Sequence, residues 1–214
     1  MINTNLAGLR QEYSRSKLSR SSVASDPFEQ FAHWMDDVLK AEIVEPTAMM
    51  LSTASADGKP SARVVLLKGF DKEGFVFFTN YASRKGRELA ENPQASLHFF
   101  WADLQRQVNI SGSVIRVSAE ESDEYFQSRP FTSRVGAWAS NQSEKIDSRT
   151  VIMTRVAKLL VKYASGNVPR PPHWGGFRVI PDRFEFWQGR ESRLHDRICY
   201  TLNDQNWEIS RLSP

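Results

Sequence analysis

Three groups of residues carry polar chemistry at a spacing that asks for explanation. The first is Arg63-Val64-Val65-Leu66-Leu67-Lys68, a strand pattern with a cation at each end. Alternation puts Arg63, Val65 and Leu67 on one face and Val64, Leu66 and Lys68 on the other. At about 3.3 Å per residue the two cations stand roughly 17 Å apart, too far to grip one phosphate and suited to two anions. Two solvated residues at fraying strand ends would read the same way. The second group is Tyr125, Arg129 and Ser133, each four residues from the next. Tyr125 and Arg129 share a helix face, and Ser133 lies just past the break at Pro130. Phenol, guanidinium and hydroxyl are donors that match phosphate oxygens. A buried Tyr, an Arg at a helix C-terminus and a loop serine give the same pattern. The third is the run from Trp187 to Arg197. If 193–197 is a strand, Arg193, His195 and Arg197 line one face while Asp196 points the other way. Cations so close repel one another unless an anion or electron-rich ligand faces them.

The elements that must position these groups follow from periodicity. Residues 1–24 are polar, rich in Ser and Arg, and read as a flexible N-terminal segment, with 25–214 as a single domain. A helix starts with Asp26 as N-cap, Pro27 at its first position and Glu29 placed for a capping box, with Phe28, Phe31, Met35, Val38 and Leu39 at helical spacing. Short apolar runs follow, at Ala48–Ala54, Ala62–Gly69 and Phe75–Thr79, split by Asp-Gly and Glu-Gly turns. A short helix, Ser83 to Asn92, precedes strands at Ala95–Trp101 and Arg106–Ser118. Ser118 with Glu121 predicts a capped helix ending near Arg129, because Pro130 cannot continue it. A helix over about Asp147–Ala164 has Val151, Ile152, Val156, Leu159, Leu160 and Tyr163 as its inward stripe. Strands then read at Phe177–Ile180, Phe184–Gln188, Leu194–Leu202 and Trp207–Leu212, the last two a hairpin about Asn203-Asp204. Roughly eight strands with short connections and four helices predict an antiparallel barrel with peripheral helices, class α+β.

Composition bounds the function. With 214 residues, 40% hydrophobic and 25% charged, the chain can bury a sizeable core, and wholesale disorder is excluded. A net charge of +3 suits phosphorylated small molecules as well as nucleic acid. Cys199 is the single cysteine, which excludes an intramolecular disulfide and zinc sites of the paired-cysteine type. No apolar run approaches the ~18–20 residues that span a bilayer. Charged residues punctuate the first thirty positions, so no secretory signal is expected and a cytoplasmic location is. No Gly-rich dinucleotide fingerprint or triphosphate-binding loop is present, which argues against a doubly wound nucleotide fold. No metal site is expected.

These segments resemble the pyridoxine (pyridoxamine) 5'-phosphate oxidase family. The matching runs are Arg63-Val-Val-Leu-Leu-Lys68, Ser83-Arg-Lys-Gly-Arg87, Arg106-Gln-Val108, Tyr125-Phe-x-Ser-Arg-Pro130 and Gly136-Ala-Trp138. His173-Trp-Gly-Gly-Phe-Arg-Val179, Phe184-Glu-Phe-Trp-Gln-Gly189, Arg193-Leu-His-Asp-Arg197 and the ending Trp207-x-x-x-Arg211-Leu complete the set. They occur in order from about residue 10 to the C-terminus and are specific in combination.

The resemblance implies an FMN-binding split barrel, working as a homodimer with flavin at the subunit interface. It implies that Arg63, Arg84, Lys85 and Ser143 hold the FMN phosphate and ribityl chain. Residues Val64, Val65, Leu66, Leu67 and Lys68, with the Phe78-Thr79 pair, would lie along the flavin. Gln107, Gln142, Trp187 and Arg197 would flank its ring. The substrate phosphate would sit among Lys68, Tyr125, Arg129 and Ser133. Arg193, Leu194 and His195 would face the pyridine ring, with Arg193 and His195 as the catalytic candidates. Arg10-Gln-Glu-Tyr13 matches a segment that folds over bound substrate, so Arg10 and Tyr13 join the substrate contacts. The implied reaction converts pyridoxine 5'-phosphate or pyridoxamine 5'-phosphate to pyridoxal 5'-phosphate, with O2 reduced to H2O2. Departures are Phe78, where a Tyr is expected, and His173, where an aromatic such as Phe is expected. Two alternatives stand beside it: a split-barrel flavoprotein reductase or oxidase acting on another substrate, and a basic barrel binding nucleic acid. Separate, motif-like cation clusters argue against an extended nucleic-acid surface.

Overall fold

The computed structural model describes Tyr13 and residues 16–214. Arg10 lies outside them. Nine strands and five α-helices occur among the described residues. The strands are β1 (Ala48–Ala54), β2 (Pro60–Leu66), β3 (Gly69–Asp71), β4 (Gly74–Asn80), β5 (Gln94–Trp101), β6 (Arg106–Arg116), β7 (Trp174–Gln188), β8 (Asp196–Asn203) and β9 (Asn206–Leu212). The helices are α1 (Pro27–Lys40), α2 (Arg84–Glu91), α3 (Ala119–Ser128), α4 (Phe131–Ala139) and α5 (Arg149–Lys162). Hydrogen bonding runs β2-β1-β5-β6-β7-β4-β3, with β8 on β7 and β9 on β8. The registers of β1 with β2, β3 with β4, β4 with β7, β7 with β8 and β8 with β9 are all antiparallel. The class is α+β.

The chain divides into two compact units. One comprises residues up to Pro46, Leu97–Ile110 and Asp182–Pro214; the other comprises Thr47–Ser96 and Ser111–Pro181. The first unit is built around α1. Asp26 caps it by accepting from the Phe28 N–H at 2.7 Å, and Pro27 occupies its first turn. The apolar stripe of α1 meets aromatic strand residues: Phe28 on Phe184, Phe31 on Phe99 and Trp34 on Phe186, with ring centroids 5.2 Å apart in each pair. Such edge and tilted pairs add to what area burial contributes. Tyr200, fully buried beside Phe186, donates its hydroxyl to the Ala24 carbonyl at 2.6 Å. Burial pushes that phenol well above the ordinary tyrosine range, so it remains a neutral donor.

In the second unit Phe75, Phe77, Phe177 and Val179 come together where β4 pairs with the first half of β7. A second cluster, Phe126, Val135, Tyr163, Val168 and Trp174, ties α3 and α4 to the start of β7. Against it pack Val156 and Leu159 of α5, together with Phe78 and Tyr125. The α5 stripe is shallower than periodicity suggests. No residue within Arg149–Lys162 is buried and Leu160 is exposed; of the stripe only Tyr163, at the C-cap, is buried.

Four local readings are corrected. Pro130 ends α3 and also opens α4, its carbonyl accepting from the N–H groups of Ser133 and Arg134; the loop expected here is a helix. The strands read at Phe177–Ile180 and Phe184–Gln188 are one, β7. Its first half pairs with β4 through Val179 and its second with β8 from Arg183, so on this edge Pro181 falls between the two ladders. The run Ala62–Gly69 divides into β2 and β3, because Leu67 and Lys68 leave the strand. Finally, β8 starts at Asp196 and not at Leu194. Ser192 and Arg193 take positive φ values of 54° and 60° in a 3₁₀ turn, so the chain from Arg193 to His195 does not alternate as a strand.

Gly112 of β6 is required by close approach. A Cβ there would lie 2.0 Å from the Ile180 carbonyl oxygen, which is backbone and cannot swing aside. Gly112→Ala is expected to lower stability by about 1–3 kcal/mol through overpacking, measured as a lower urea midpoint with an unchanged slope.

Candidate functional site

In the second unit the strand β2 and its extension to Lys68 form a wall shared by two concavities. The larger, about 570 Å³, is lined by Val64, Val65, Leu66 and Lys68, by Phe78 and Thr79 of β4, and by Tyr125, Arg129 and Ser133. Lys85, Gln142 and Trp174 also line it. The smaller, about 410 Å³, is lined by Ser61, Arg63, Val64, Arg84, Lys85, Gln142 and Ser143. Arg63 and Lys68 therefore face different cavities, as their separation along the chain requires. Of the residues expected at a flavin or substrate phosphate in this unit, only Leu67 lines neither; it is buried.

The smaller concavity gathers cationic and hydrogen-bonding groups. Ser83 caps α2, its side chain accepting from the Gly86 N–H, and presents the helix N-terminus beside Arg84 and Lys85. Ser143, at φ 74°, accepts from the Arg84 backbone N–H at 3.2 Å. Glu88, one helical turn beyond Arg84, is buried. It accepts from Thr53 at 2.5 Å, Ser61 at 2.6 Å and Arg84 Nε at 2.8 Å, and lies 3.4 Å from Arg63 Nη2. Burial works against its charge, but the hydrogen bonds from Ser61, Thr53 and Arg84 and the Arg63 charge bring its pKa down to about 2. Arg63 is further fixed by Thr53 and the Leu51 carbonyl. Lys85 donates to Thr79 Oγ1 at 3.1 Å and Gln142 Oε1 at 3.0 Å; burial, then the Arg63 charge, lowers its pKa.

The larger cavity holds a guanidinium with an unused donor. Arg129 Nη1 is buried and has no hydrogen-bond partner among the described residues. Its guanidinium carbon stands 4.7 Å from the centre of the Trp174 indole. Burial pulls the Arg129 pKa down, yet a guanidinium stays charged in a protein. A buried cationic N–H lacking an acceptor is costly unless a ligand supplies one. Lys68, exposed, and the Tyr125 and Ser133 hydroxyls complete a donor set for a phosphate-sized anion.

The first unit carries the remaining expected residues. Tyr13 packs its ring 5.9 Å from both Trp187 and His195, and Trp187 lies 4.5 Å from His195. Gln107 is half-buried. His195 Nδ1 accepts from the Arg190 backbone N–H at 3.1 Å, which leaves Nε2 to carry the proton. Burial and then the Arg193 charge hold the imidazole below its usual pKa. The expected row of bare cations is absent. Arg197 Nε donates to Glu185 at 2.8 Å, Arg211 and Arg190 pair with Asp196, and Arg193 and Leu194 are exposed. Glu88, Glu185 and Trp174 were not expected to matter. The signal for Glu88 was its place one turn after Arg84 in Ser83-Arg-Lys-Gly-Arg-Glu88; for Glu185 it was a lone acid in an aromatic strand.

An antiparallel α+β sheet with flanking helices is the split-barrel architecture. It is shared with a pyridoxamine 5'-phosphate oxidase-related, FMN binding protein from Nostoc punctiforme, at TM-score 0.70 and 15% identity, covering 90% of this chain and 100% of that one. Closer in sequence is PhzG from Burkholderia lata, solved in complex with tetrahydrophenazine-1-carboxylic acid. It is 32% identical at TM-score 0.86, with coverage of 91% of this chain and 95% of that one. Residues 35–163 match the family profile described as pyridoxamine 5'-phosphate oxidase. Residues 174–214 match that of the pyridoxine 5'-phosphate oxidase C-terminal dimerisation region. A protein of Trichormus variabilis named pyridoxine/pyridoxamine 5'-phosphate oxidase is 58% identical over 214 residues, 100% of both chains. One of the same name from Paraburkholderia phytofirmans is 54% identical over 213 residues, 99% of this chain and 100% of that one. The chain belongs to the pyridoxine/pyridoxamine 5'-phosphate oxidase family and is an oxidoreductase. Among the described residues no helix is long and apolar enough to cross a membrane.

Glu88 makes the second unit's stability depend on acid. Its folded pKa of about 2 lies below the ordinary 4.5, so the unfolded chain takes up the proton first. The stabilisation is full above about pH 4.5 and fades as pH falls toward about 2. Urea unfolding across this window is expected to show a steeper acid loss in the wild type than in Glu88→Gln, with the variant less stable at neutral pH.

Proposed function

We propose that this chain oxidises pyridoxine 5'-phosphate and pyridoxamine 5'-phosphate to pyridoxal 5'-phosphate with FMN as cofactor and O2 as final acceptor, yielding H2O2. The observation that carries this reading is the presence, in one unit, of two donor sets, one around Arg63 and Arg84 and one around Lys68 and Arg129, in neighbouring concavities that share Val64, Lys85 and Gln142. One phosphate monoester belongs to the cofactor and one to the substrate. The residues fit an FMN phosphate: Arg63, Arg84, Lys85, Ser143 and the α2 N-terminus are donors, and Glu88 is their buried counter-charge. Three cations and one carboxylate leave an excess of two positive charges, close to the roughly −1.5 to −2 of a phosphate monoester. Val64, Val65 and Leu66 offer an apolar wall for a planar ring, and Thr79 and Gln142 offer polar contacts at its edge. Bound FMN supplies the hydride acceptor for the substrate C4' carbon.

What the chain itself contributes is binding, alignment and charge. Lys68, Tyr125, Arg129 and Ser133 hold the substrate phosphate, and Arg129 Nη1 gains the acceptor it otherwise lacks. Arg193 and Leu194 contact the pyridine, and Tyr13 covers it. His195, with Nδ1 committed to the Arg190 N–H, presents Nε2–H as a hydrogen-bond donor to the substrate's hydroxyl or amine. Its low pKa keeps it neutral beside Arg193. Gln107, Trp187 and Arg197 flank the flavin ring, and Glu185 fixes the Arg197 guanidinium. The family's dimerisation region over 174–214 supports a homodimer with flavin at the subunit interface. The location is cytoplasmic.

The test is the visible spectrum of purified protein supplied with FMN, before and after anaerobic addition of pyridoxine 5'-phosphate. Bleaching reversed by air is expected, with little response to unphosphorylated pyridoxine. Flavin bands that ignore both would move the reading to a split-barrel oxidase of another substrate, the class to which the carboxylate-bearing ligand of PhzG points. Arg63→Ala is expected to weaken FMN binding about 10- to 100-fold, one charge-assisted hydrogen-bonding group's worth. Lys68→Ala is expected to raise the substrate KM by a similar factor while flavin content holds. The reverse pattern would exchange the two phosphate assignments.

A further inference from the structure

Arg129 owes its position to an aromatic rack. Phe78 and Tyr125 stack at 4.0 Å with an interplanar angle of 21°. Trp174 lies nearly parallel to both, at 11° to Phe78 and 10° to Tyr125. The Arg129 guanidinium sits 4.7 Å from the Trp174 ring centre and carries the buried, unpartnered Nη1. The indole itself is immobilised. Its residue is only 7% exposed, opens β7 opposite Asn80, and accepts from Arg170 Nη1 at its carbonyl at 2.8 Å. No carboxylate pairs with Arg129 among the described residues. A π face can hold a guanidinium without occupying its in-plane N–H groups, whereas a carboxylate partner would take up the donors an anion needs.

We infer that Trp174 is a positioning residue for substrate-phosphate recognition: its indole face holds the Arg129 guanidinium while leaving Nη1 free for a phosphate oxygen. The inference rests on the assignment of Arg129 to the substrate phosphate and adds to it the residue that sets the preference for phosphorylated over unphosphorylated substrate. Tyr125, stacked in the same rack, keeps its hydroxyl at the same cavity. Phe78 completes the rack without a hydroxyl of its own to compete for the anion.

The experiment compares Trp174→Leu, Trp174→Phe and Arg129→Ala with wild type in the FMN-loaded full-length protein. Rates with pyridoxine 5'-phosphate and with pyridoxine are measured, together with equilibrium affinities for pyridoxal 5'-phosphate and FMN. Trp174→Leu is expected to raise the KM for pyridoxine 5'-phosphate about tenfold, with kcat changing less than about twofold. Pyridoxal 5'-phosphate affinity falls in parallel, while FMN affinity and the rate with pyridoxine hold. Trp174→Phe, which keeps an aromatic face and tests the inference even if the Leu variant fails to fold, is expected to shift the same constants about threefold. A preference for the phosphorylated substrate that survives in both Trp174 variants but is lost in Arg129→Ala overturns the inference and leaves the site assignment standing. So does an equal loss with both substrates, which marks a packing role alone. A preference that survives Arg129→Ala overturns the site assignment beneath it.

Discussion

Glu88 is the charge on which the anion chemistry of the second unit depends. Arg63, Arg84 and Lys85 line one concavity, where burial and then the Arg63 charge lower the Lys85 pKa. A carboxylate buried among such groups would be expensive in isolation, and so would the cations without it. Here each finds the other, and Thr53 and Ser61 occupy the remaining lone pairs of the carboxylate. Because these partners come from β1, β2 and α2, the network also fixes the helix against the β1–β2 hairpin. Arg63 and the first residues of α2 consequently line one concavity. Rigid placement of this kind, with little side-chain entropy left to lose, is what makes an anion site selective.

The second donor set is organised on a different physical basis. Around Arg129 there is no counter-ion among the described residues, and the guanidinium lies over the Trp174 ring within a rack of parallel rings. The two sets thus differ in how much of their hydrogen-bonding capacity is spent internally. Arg63 donates to four protein groups, whereas Arg129 keeps a buried N–H unspent. A resident cofactor is compatible with a fully braced cradle that is assembled once. A substrate that enters and leaves at every turnover is better served by a donor whose satisfaction depends on its arrival.

Much of this was legible in the sequence, and what was legible was local. The Asp26 and Ser118 caps, the Pro130 stop for α3, the β-turns and the continuous apolar run of β4 each depend on residues within one turn or strand. The residues that line the two concavities of the second unit were also readable in type and spacing. What could not be read depends on tertiary pairing. Nothing within Phe177–Gln188 says that Pro181 falls between two ladders, because that position is fixed by β4 and β8. Helix α4 was hidden because Pro130 ends one helix with the same rigidity that starts the next. Trp174 looked like core, which it is; its second role appears only once Arg129 is brought over its face from a different element.

The run from Trp187 to Arg197 shows how an inference from charge can be right about the need and wrong about the supplier. Three cationic groups on one strand face would demand an anion, and the sequence offered none on that face. The structure answers by changing the backbone: positive φ at Ser192 and Arg193 turns Arg193 out of the strand, and β8 begins only at Asp196. Arg197 then meets Glu185, placed on the neighbouring strand two residues before the Trp187 that stands opposite it. Asp196, which alternation sends to the other face, gathers Arg190, Arg211 and the Leu18 N–H. His195 has no carboxylate partner among the described residues, and burial, then the Arg193 charge, favours the neutral ring, whose Nδ1 accepts from the Arg190 N–H. An imidazole kept neutral with Nδ1 occupied is arranged to donate from Nε2, so the environment of His195 suits orienting a substrate hydroxyl or amine better than removing its proton.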